Sequence, residues 1–179
     1  MRQQQIAQVQ PHLGKLHDIR ALGSTSSKLN YLVKRVLEHV GKEKCIIFTQ
    51  FGNEMYYLYE YFTLARIRCL LYHTRGMASA RSQNITTFNT SDNAWVIIMD
   101  TRLAAYGIDL SSASRVFFVA PVWQNAMMRQ AIKRAHRIGQ TRPVYVETLV
   151  MKGTLEEAIL HRRKEMVNTG KSPVAETVA

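Results

Sequence analysis

Short apolar runs alternate with segments of helical periodicity along most of this chain. Cys45–Thr49 is one such run, flanked by charged residues on one side and by Gln-Phe-Gly on the other, which is typical of a strand buried on both faces. In the next segment, Met55, Leu58 and Phe62 recur at helical spacing. Strands that alternate with helices predict an α/β layered domain with a mainly parallel sheet and right-handed crossovers.

The predicted elements follow this alternation through most of the sequence. Helices are expected at residues 29–40, 55–65, 77–88 and 128–138 and from residue 154 onward, and strands at residues 45–49, 67–72, 95–99, 116–119 and 144–150. Serine and threonine at residues 24–27 are N-cap candidates for the first helix, and Gly41 is expected to end it. We therefore expect a leader or linker at residues 1–23, one domain at residues 24–165 and a disordered tail at residues 166–179.

The charge of the chain indicates a polyanionic partner. Its 179 residues fit one domain, and an apolar fraction of 46% is enough to fill a core of that size. Lysine and arginine number 24 against 13 acidic residues, giving a net charge of +11, so nucleic acid is the leading candidate. A membrane partner is not expected, because no apolar run approaches the ~20 residues of a spanning helix.

Cysteine and histidine usage gives no sign of metal chemistry. Cys45 and Cys69 each lie in an apolar strand-like run without a second cysteine at metal-ligand spacing, and the six histidines form no His-x-x-x-His pair. We therefore predict no metal site, and we expect both cysteines to be reduced core residues of an intracellular protein.

The segment Gln130–Gln140 places basic side chains along a predicted helix. Met128, Ala131, Ala135 and Ile138 fall on its apolar face, Arg129, Lys133, His136 and Arg137 fall on the opposite face, and Arg134 lies at the boundary. At i, i+3 spacing, Arg134 and Arg137 could converge on one anion, and guanidinium groups suit phosphate oxygens. Gly139 is expected to end the helix. The alternative is that a basic helix face is simply solvated.

Between a strand and a Gly-Gln-Thr-Arg-Pro turn, the string Gln-Ala-Ile-Lys-Arg-Ala-His-Arg-Ile-Gly-Gln resembles the last conserved motif of the Swi/Snf-type, helicase-like ATPases of superfamily two. In that family, the arginines that match Arg134 and Arg137 act as arginine fingers on the nucleoside triphosphate. The resemblance also implies that Gln130 contacts ATP. Because it extends over roughly residues 26–160, it implies that this chain is the second RecA-like lobe of such an ATPase.

The segment that follows the strand at residues 95–99 contains a second group of candidate residues. Small side chains there allow close approach of a ligand, Thr101 and Arg102 could hydrogen-bond phosphate, and Asp109 could accept from a ribose hydroxyl. As a bare pattern, a loop with glycine and aspartate is usually only a turn.

The same segment resembles the fifth motif of the family. Gly107 and Leu110 match that motif, whereas Ala104 and Ala105 replace its glycine pair and Asp109 replaces its asparagine. The resemblance implies that Gly107 and Asp109 contact ATP. It also implies that Thr101 and Arg102, with Gln50, contact the DNA backbone.

Two motifs that ATP hydrolysis requires are not found in this sequence. A phosphate loop needs G-x-x-x-x-G-K-[ST], but Glu165 stands where its first glycine should be, ahead of Gly170-Lys171-Ser172. No adjacent Asp-Glu pair occurs for Mg²⁺ and water activation. By resemblance, these parts belong to the first RecA-like lobe. We therefore expect ATP and Mg²⁺ to be held mainly by that lobe, and this chain to be inactive without it.

The resulting hypothesis is the second lobe of an ATP-driven double-stranded DNA translocase or chromatin-remodelling ATPase. Its expected partners are duplex DNA, the first lobe, and nucleosomes or other chromatin proteins, and its expected location is the nucleus. The competing hypothesis is a catalytically inert DNA- or chromatin-binding module derived from such a lobe. The two alanines in the fifth motif favour that alternative slightly, whereas retention of both candidate fingers argues against it.

Overall fold

The computed structural model describes residues 26–137 and 140–166. The expected leader at residues 1–23 and the tail beyond Met166 lie outside these residues, as do Ile138 and Gly139. The helices are α1 (Ser27–His39), α2 (Gly52–Leu64), α3 (Ala78–Thr90), a 3-10 helix (Thr101–Ala105), α4 (Asn125–Ala135) and α5 (Leu155–Met166). The strands are β1 (Lys44–Thr49), β2 (Arg68–Tyr72), β3 (Ala94–Asp100), β4 (Ala113–Phe118) and β5 (Tyr145–Thr148).

One five-stranded sheet in the order β2-β3-β1-β4-β5 forms the middle layer of the described part of the chain. Its four strand pairs are all parallel. The central strand β1 has β3 on one side and β4 on the other, so the chain builds one half of the sheet before it crosses to build the other. The predicted α/β fold with a mainly parallel sheet is therefore confirmed.

Each face of the sheet is covered by helices. On one face, α1 and α2 pack against alternate strand residues, as Leu32 and Phe62 do near Ile47. On the other face, α3, the 3-10 helix and α4 pack against the remaining ones, as Phe88 and Met128 do near Ile46. Because neighbouring residues of a strand point to opposite faces, burial on both faces requires the continuous apolar runs seen in the sequence.

The first helix begins and ends close to where the sequence predicts. The Ser26 side chain caps α1 by accepting a hydrogen bond from the amide of Leu29 at 3.3 Å. Gly41 follows the helix with a φ of +88°, a left-handed conformation that glycine adopts without a steric penalty. Cys45 and Cys69 are buried free thiols, and burial raises the pKa of Cys45 to about 12.

The predicted end of the arginine-bearing helix is wrong. The arginine-bearing helix ends at Ala135, so Arg137 lies beyond it. The physical reason is a tertiary contact, because the carbonyl of Arg134, one of the last carbonyls of the helix, accepts a hydrogen bond from the amide of Leu110 at 3.0 Å. The residues after β3 begin as a 3-10 helix, with the Asp100 carboxylate accepting from the Arg102 amide at 3.0 Å. The last helix, α5, extends to Met166, the last residue that the structure describes.

Candidate nucleotide and DNA contact site

The carboxyl end of α4 is bound to the residues between β3 and β4, which we call the β3–β4 segment (residues 101–112). Arg134 makes this contact twice. Its Nε donates to the carbonyl of Ala104 at 2.9 Å, and its carbonyl accepts from the amide of Leu110 at 3.0 Å. The Nε bond uses one of the five N–H donors of a guanidinium group. Arg134 is half-buried, so its side chain lies between α4 and the β3–β4 segment.

Arg137 is exposed and lies just beyond the end of α4. Its amide donates to the carbonyl of Ala135 at 3.2 Å, and its carbonyl accepts from the amide of Gln140 at 3.0 Å. The predicted i, i+3 presentation of Arg134 and Arg137 on one helix is therefore wrong. A turn, rather than a helical repeat, sets the position of Arg137 relative to Arg134.

The three residues predicted to contact ATP lie on the elements that meet at this end of α4. Gln130 is exposed one helical turn before Arg134, on the same side of the helix. Gly107 is exposed with a φ of +54°, and a Cβ there would meet nothing within 4 Å, so the backbone conformation is what favours glycine. Asp109 is exposed, and its Oδ1 accepts from the amide of Ser111 at 3.1 Å.

The α3 side of the β3–β4 segment is held by an asparagine. Asn89 donates from Nδ2 to the carbonyl of Asp109 at 2.9 Å and accepts from the hydroxyl of Ser112 at 2.7 Å. Asp109 also lines an open groove of about 380 Å³ that separates α3 from the segment, with Arg81 and Tyr106 among its other lining residues. Helices on both sides therefore fix the position of Asp109.

The residues predicted to contact DNA lie near the carboxyl ends of β1 and β3. Gln50 and Arg102 line one cleft of about 270 Å³ there, which we call the carboxyl-edge cleft. Its other lining residues are Phe51, Gly52, Asn53, Met55, Tyr56, His73, Thr74, Arg75 and Asp100. Of these, His73, Arg75 and Asp100 are titratable or charged residues that the sequence did not single out.

Thr101 does not present its side chain to this cleft. It is 1% exposed, and its hydroxyl donates to the carbonyl of Thr49 at 3.1 Å. The hydroxyl therefore joins the end of β3 to the end of β1, and the expected hydrogen bond from this side chain to a DNA phosphate is not available in the structure.

Arg102 is exposed, but it is paired with a buried carboxylate. Its Nε donates to Asp100 Oδ1 at 3.0 Å and its Nη2 donates to Asp100 Oδ2 at 2.6 Å, while 65% of the Arg102 side chain stays accessible. These hydrogen bonds raise the pKa of Arg102. The pair uses only some of the five N–H donors, so the same group can still contact a phosphate.

The described residues contain no group of three or more His, Cys, Asp or Glu side chains arranged to hold a metal ion. Among the helices of residues 26–137 and 140–166, none has the length and apolar character needed to cross a membrane.

Comparison with known proteins identifies the family. Residues 27–139 match the family described as "Helicase conserved C-terminal domain". The chain is 34% identical over 122 residues to the chromatin-remodeling ATPase INO80 of Drosophila melanogaster, covering 68% of this chain and 7% of that protein. It is 30% identical over 161 residues to the DNA repair protein RAD5 of Cryptococcus neoformans, covering 86% of this chain and 13% of that protein.

A solved structure has a similar fold. The crystal structure of the C-terminal part of the Fun30 ATPase domain superposes with a TM-score of 0.71 and 25% identity, covering 89% of this chain and 49% of that one. The chain thus spans a small part of the curated relatives and about half of this structure. The resemblance drawn from the motifs is confirmed at the level of the family: the chain belongs to the helicase conserved C-terminal domain family, as a second RecA-like lobe of the Swi/Snf type.

Proposed function

We propose that this chain is the second lobe of an ATP-driven double-stranded DNA translocase of the chromatin-remodelling kind. The observation that carries this proposal is the double contact of Arg134 with the β3–β4 segment, at Ala104 and at Leu110. This contact makes the arginine-bearing end of α4 and the residues around Gly107 and Asp109 one unit. A ligand that touches one of them lies within reach of the other.

In this proposal, Arg134 and Arg137 act as arginine fingers on ATP that is held mainly by the first lobe together with Mg²⁺. The donor set suits that task, because guanidinium groups bind phosphate oxygens in a fork and keep their charge at any physiological pH. An arginine finger stabilises charge that develops on the transferred phosphoryl group. The exposed Arg137 fits this role most directly, since lobe closure places an exposed cation against a nucleotide carried by the partner lobe.

Gln130, Gly107 and Asp109 are proposed to contact the same nucleotide. Gln130 lies on the side of α4 that carries Arg134, and Asp109 directly precedes Leu110, whose amide is bonded to the carbonyl of Arg134. The amide of Gln130 and the carboxylate of Asp109 offer a donor and acceptors for ribose or phosphate groups. These assignments rest on position and chemistry together with the family resemblance.

The carboxyl-edge cleft is proposed to contact the backbone of duplex DNA through Gln50 and Arg102. Both side chains are exposed at its rim, and the chain carries a net charge of +11, which favours a polyanion. Phosphate contacts position a protein on DNA without reading its sequence. Closure of the two lobes over ATP and reopening after hydrolysis would then move the lobe along the duplex.

The extent of the functional unit, its cellular location and its further partners are also proposals, made by analogy with the relatives. We propose a functional unit at residues 24–165, a nuclear location, and nucleosomes or other chromatin proteins as additional partners. INO80 is named a chromatin-remodeling ATPase and RAD5 a DNA repair protein, and both names fit that setting.

A DNA-dependent ATPase assay tests the proposal. Phosphate release is measured with and without duplex DNA for this chain alone, for the first lobe alone, and for a protein that contains both lobes. We expect DNA-stimulated turnover only when both lobes are present. Turnover by this chain alone would contradict the division of labour between the lobes.

The inert binding module is the second candidate, and one observation favours it. The Nε of Arg134 is already bonded to Ala104, a residue that replaces a family glycine, so one candidate finger has an internal partner. This alternative expects the two-lobe protein to bind duplex DNA at physiological salt without any DNA-stimulated ATP turnover. The same assay, combined with a DNA-binding measurement, separates the two functions.

A further inference from the structure

Gln140 holds the beginning of β4 with its side-chain amide. Its Nε2 donates to the carbonyls of Ser111 and Ala113, at 2.6 Å and 3.0 Å. Its Oε1 accepts from the amide of Arg142 at 3.0 Å. Both N–H donors and the oxygen of the amide are therefore engaged, as expected for a half-buried glutamine whose orientation is fixed.

The backbone of Gln140 is bound to Arg137. Its amide donates to the Arg137 carbonyl at 3.0 Å, and the Arg137 amide in turn donates to the Ala135 carbonyl at 3.2 Å. Arg137 lies beyond α4, so helical hydrogen bonding does not define its position. Instead, its backbone is bonded to the end of α4 on one side and to Gln140 on the other.

The anchor at the other end of this connection is buried in the sheet. Ala113 is the first residue of β4 and is 0% exposed. It pairs with Lys44 of β1, the central strand of the sheet. A side chain bonded to the carbonyl of Ala113 is therefore bonded to the buried sheet, and the backbone amide of Gln140 extends this connection to Arg137.

We propose that Gln140 is a positioning residue for Arg137: its two amide N–H groups anchor the residue whose backbone amide holds the Arg137 carbonyl, and this helps to present the arginine finger to the nucleotide on the other lobe. This inference rests on the proposed function of Arg137. An exposed arginine outside a helix has many rotamers and a pliable backbone, so fixing its backbone lowers the entropy lost when it meets a phosphate. Catalytic geometry depends on such supporting contacts.

Substitution of Gln140 by glutamate tests the donors specifically. Gln140→Glu keeps the length and the acceptor oxygens but removes both N–H donors and places a carboxylate against two carbonyls. In the two-lobe protein, we expect ATP turnover to fall by roughly 10-fold to 100-fold, the loss typical of a misplaced catalytic group. DNA affinity and the KM for ATP should change little, because Arg137 is proposed to act in the transition state.

A double-mutant cycle distinguishes positioning from a general loss of stability. If Gln140 acts through Arg137, Gln140→Glu should cause no further loss of turnover in an Arg137→Ala background. The matched control is Asn84→Asp in α3, which removes a side-chain amide donor to the carbonyl of Leu71, bonded at 2.9 Å and remote from Arg137. This control should leave turnover per folded molecule unchanged.

A second substitution keeps the test informative if Gln140→Glu does not fold. Gln140→Lys loses the acceptor and adds a charge on a longer side chain, but it retains N–H donors for the two carbonyls, so it should keep more turnover than Gln140→Glu. Wild-type turnover in Gln140→Glu, or an equal loss in both backgrounds, would overturn the positioning role. If instead Arg137→Ala itself leaves turnover unchanged, the arginine-finger function fails, and the role of Gln140 fails with it.

Discussion

Arginine is used in opposite ways in two regions of this lobe. Where α1 meets β4 and β5, Arg115 binds Glu43 through Nε at 2.7 Å and Nη2 at 3.1 Å, and its guanidinium lies 4.0 Å from the ring centroid of Tyr145. Arg35 binds Glu147 at 2.6 Å in the same region. At the end of α4, by contrast, Arg137 is exposed and is held through its backbone.

The difference shows that net charge does not reveal which cations can meet a partner. A guanidinium bonded to a carboxylate and packed on a ring stabilises the fold, and its charge is largely neutralised locally. A guanidinium that is positioned by main-chain hydrogen bonds keeps its donors available for an external anion. Arg102 is intermediate, because it is both exposed and paired with Asp100.

The largest effect is expected for Arg137→Ala in the two-lobe protein. ATP turnover should fall by about 10³-fold or more, as for other arginine fingers. DNA affinity should stay largely intact, since Arg137 does not line the carboxyl-edge cleft. Steady-state ATPase kinetics and a duplex-binding titration measure the two quantities.

The matched control for Arg137→Ala is Arg115→Gln. It removes the same charge from the internally paired region, so it should lower the free energy of unfolding while turnover per folded molecule stays unchanged. The distinction between the two regions breaks down if Arg137→Ala turns over ATP normally, or if the two variants lose turnover equally.

A smaller effect is expected for Arg102→Ala, the intermediate case. DNA binding should weaken for every sequence, and the slope of log affinity against log salt should become shallower by about 1, as expected for loss of one phosphate contact. Arg68→Ala is the matched control, because Arg68 is an exposed arginine at the start of β2, opposite the cleft end of the strand. A loss that depends on DNA sequence would argue against a backbone contact.

Local pattern was enough to predict the layers of this fold. Strands buried on both faces require continuous apolar runs, and helices buried on one face require apolar residues at helical spacing, such as Leu58 and Phe62. Both patterns are visible in the sequence. The capping role of Ser26 was also predictable, because a helix cap is a contact between residues three apart.

The details of the candidate site depend on contacts between residues that are distant in sequence, and such contacts produce no recognisable sequence pattern. The early end of α4 follows from the bond between Arg134 and Leu110, and the burial of Thr101 follows from its bond to Thr49. The pairing of Arg102 with Asp100 could have been suggested, since the two residues are neighbours in sequence. The contact of Gln140 with Ser111 could not, because it requires the chain to fold back on β4.

The smallest expected effect is a pH dependence of stability in the internally paired region. The hydrogen bond from Arg115 lowers the pKa of Glu43 from 4.5 to about 2, with a further contribution from the hydroxyl of Ser114. A carboxyl whose pKa is lower in the folded state stabilises that state fully above its unfolded pKa. The contribution should therefore be complete above pH 4.5 and be lost as the pH falls through about 2.

Denaturant unfolding from pH 7 to pH 2, compared between the unsubstituted chain and Glu43→Gln, measures this contribution. The difference in unfolding free energy should be about 1 kcal/mol near neutral pH, as for a solvent-screened pair, and should shrink towards acid pH. Burial lowers the pKa of the nearby His39, whereas Glu43, 4.0 Å away, raises it, so Glu43→Gln also changes the titration of His39. Both proteins are therefore compared in a His39→Gln background, in which only Glu43 differs. A difference that stays constant down to pH 2 would mean that Glu43 is not held charged by Arg115. The contrast between an arginine fixed by a carboxylate and one presented by its backbone would then lose its electrostatic basis.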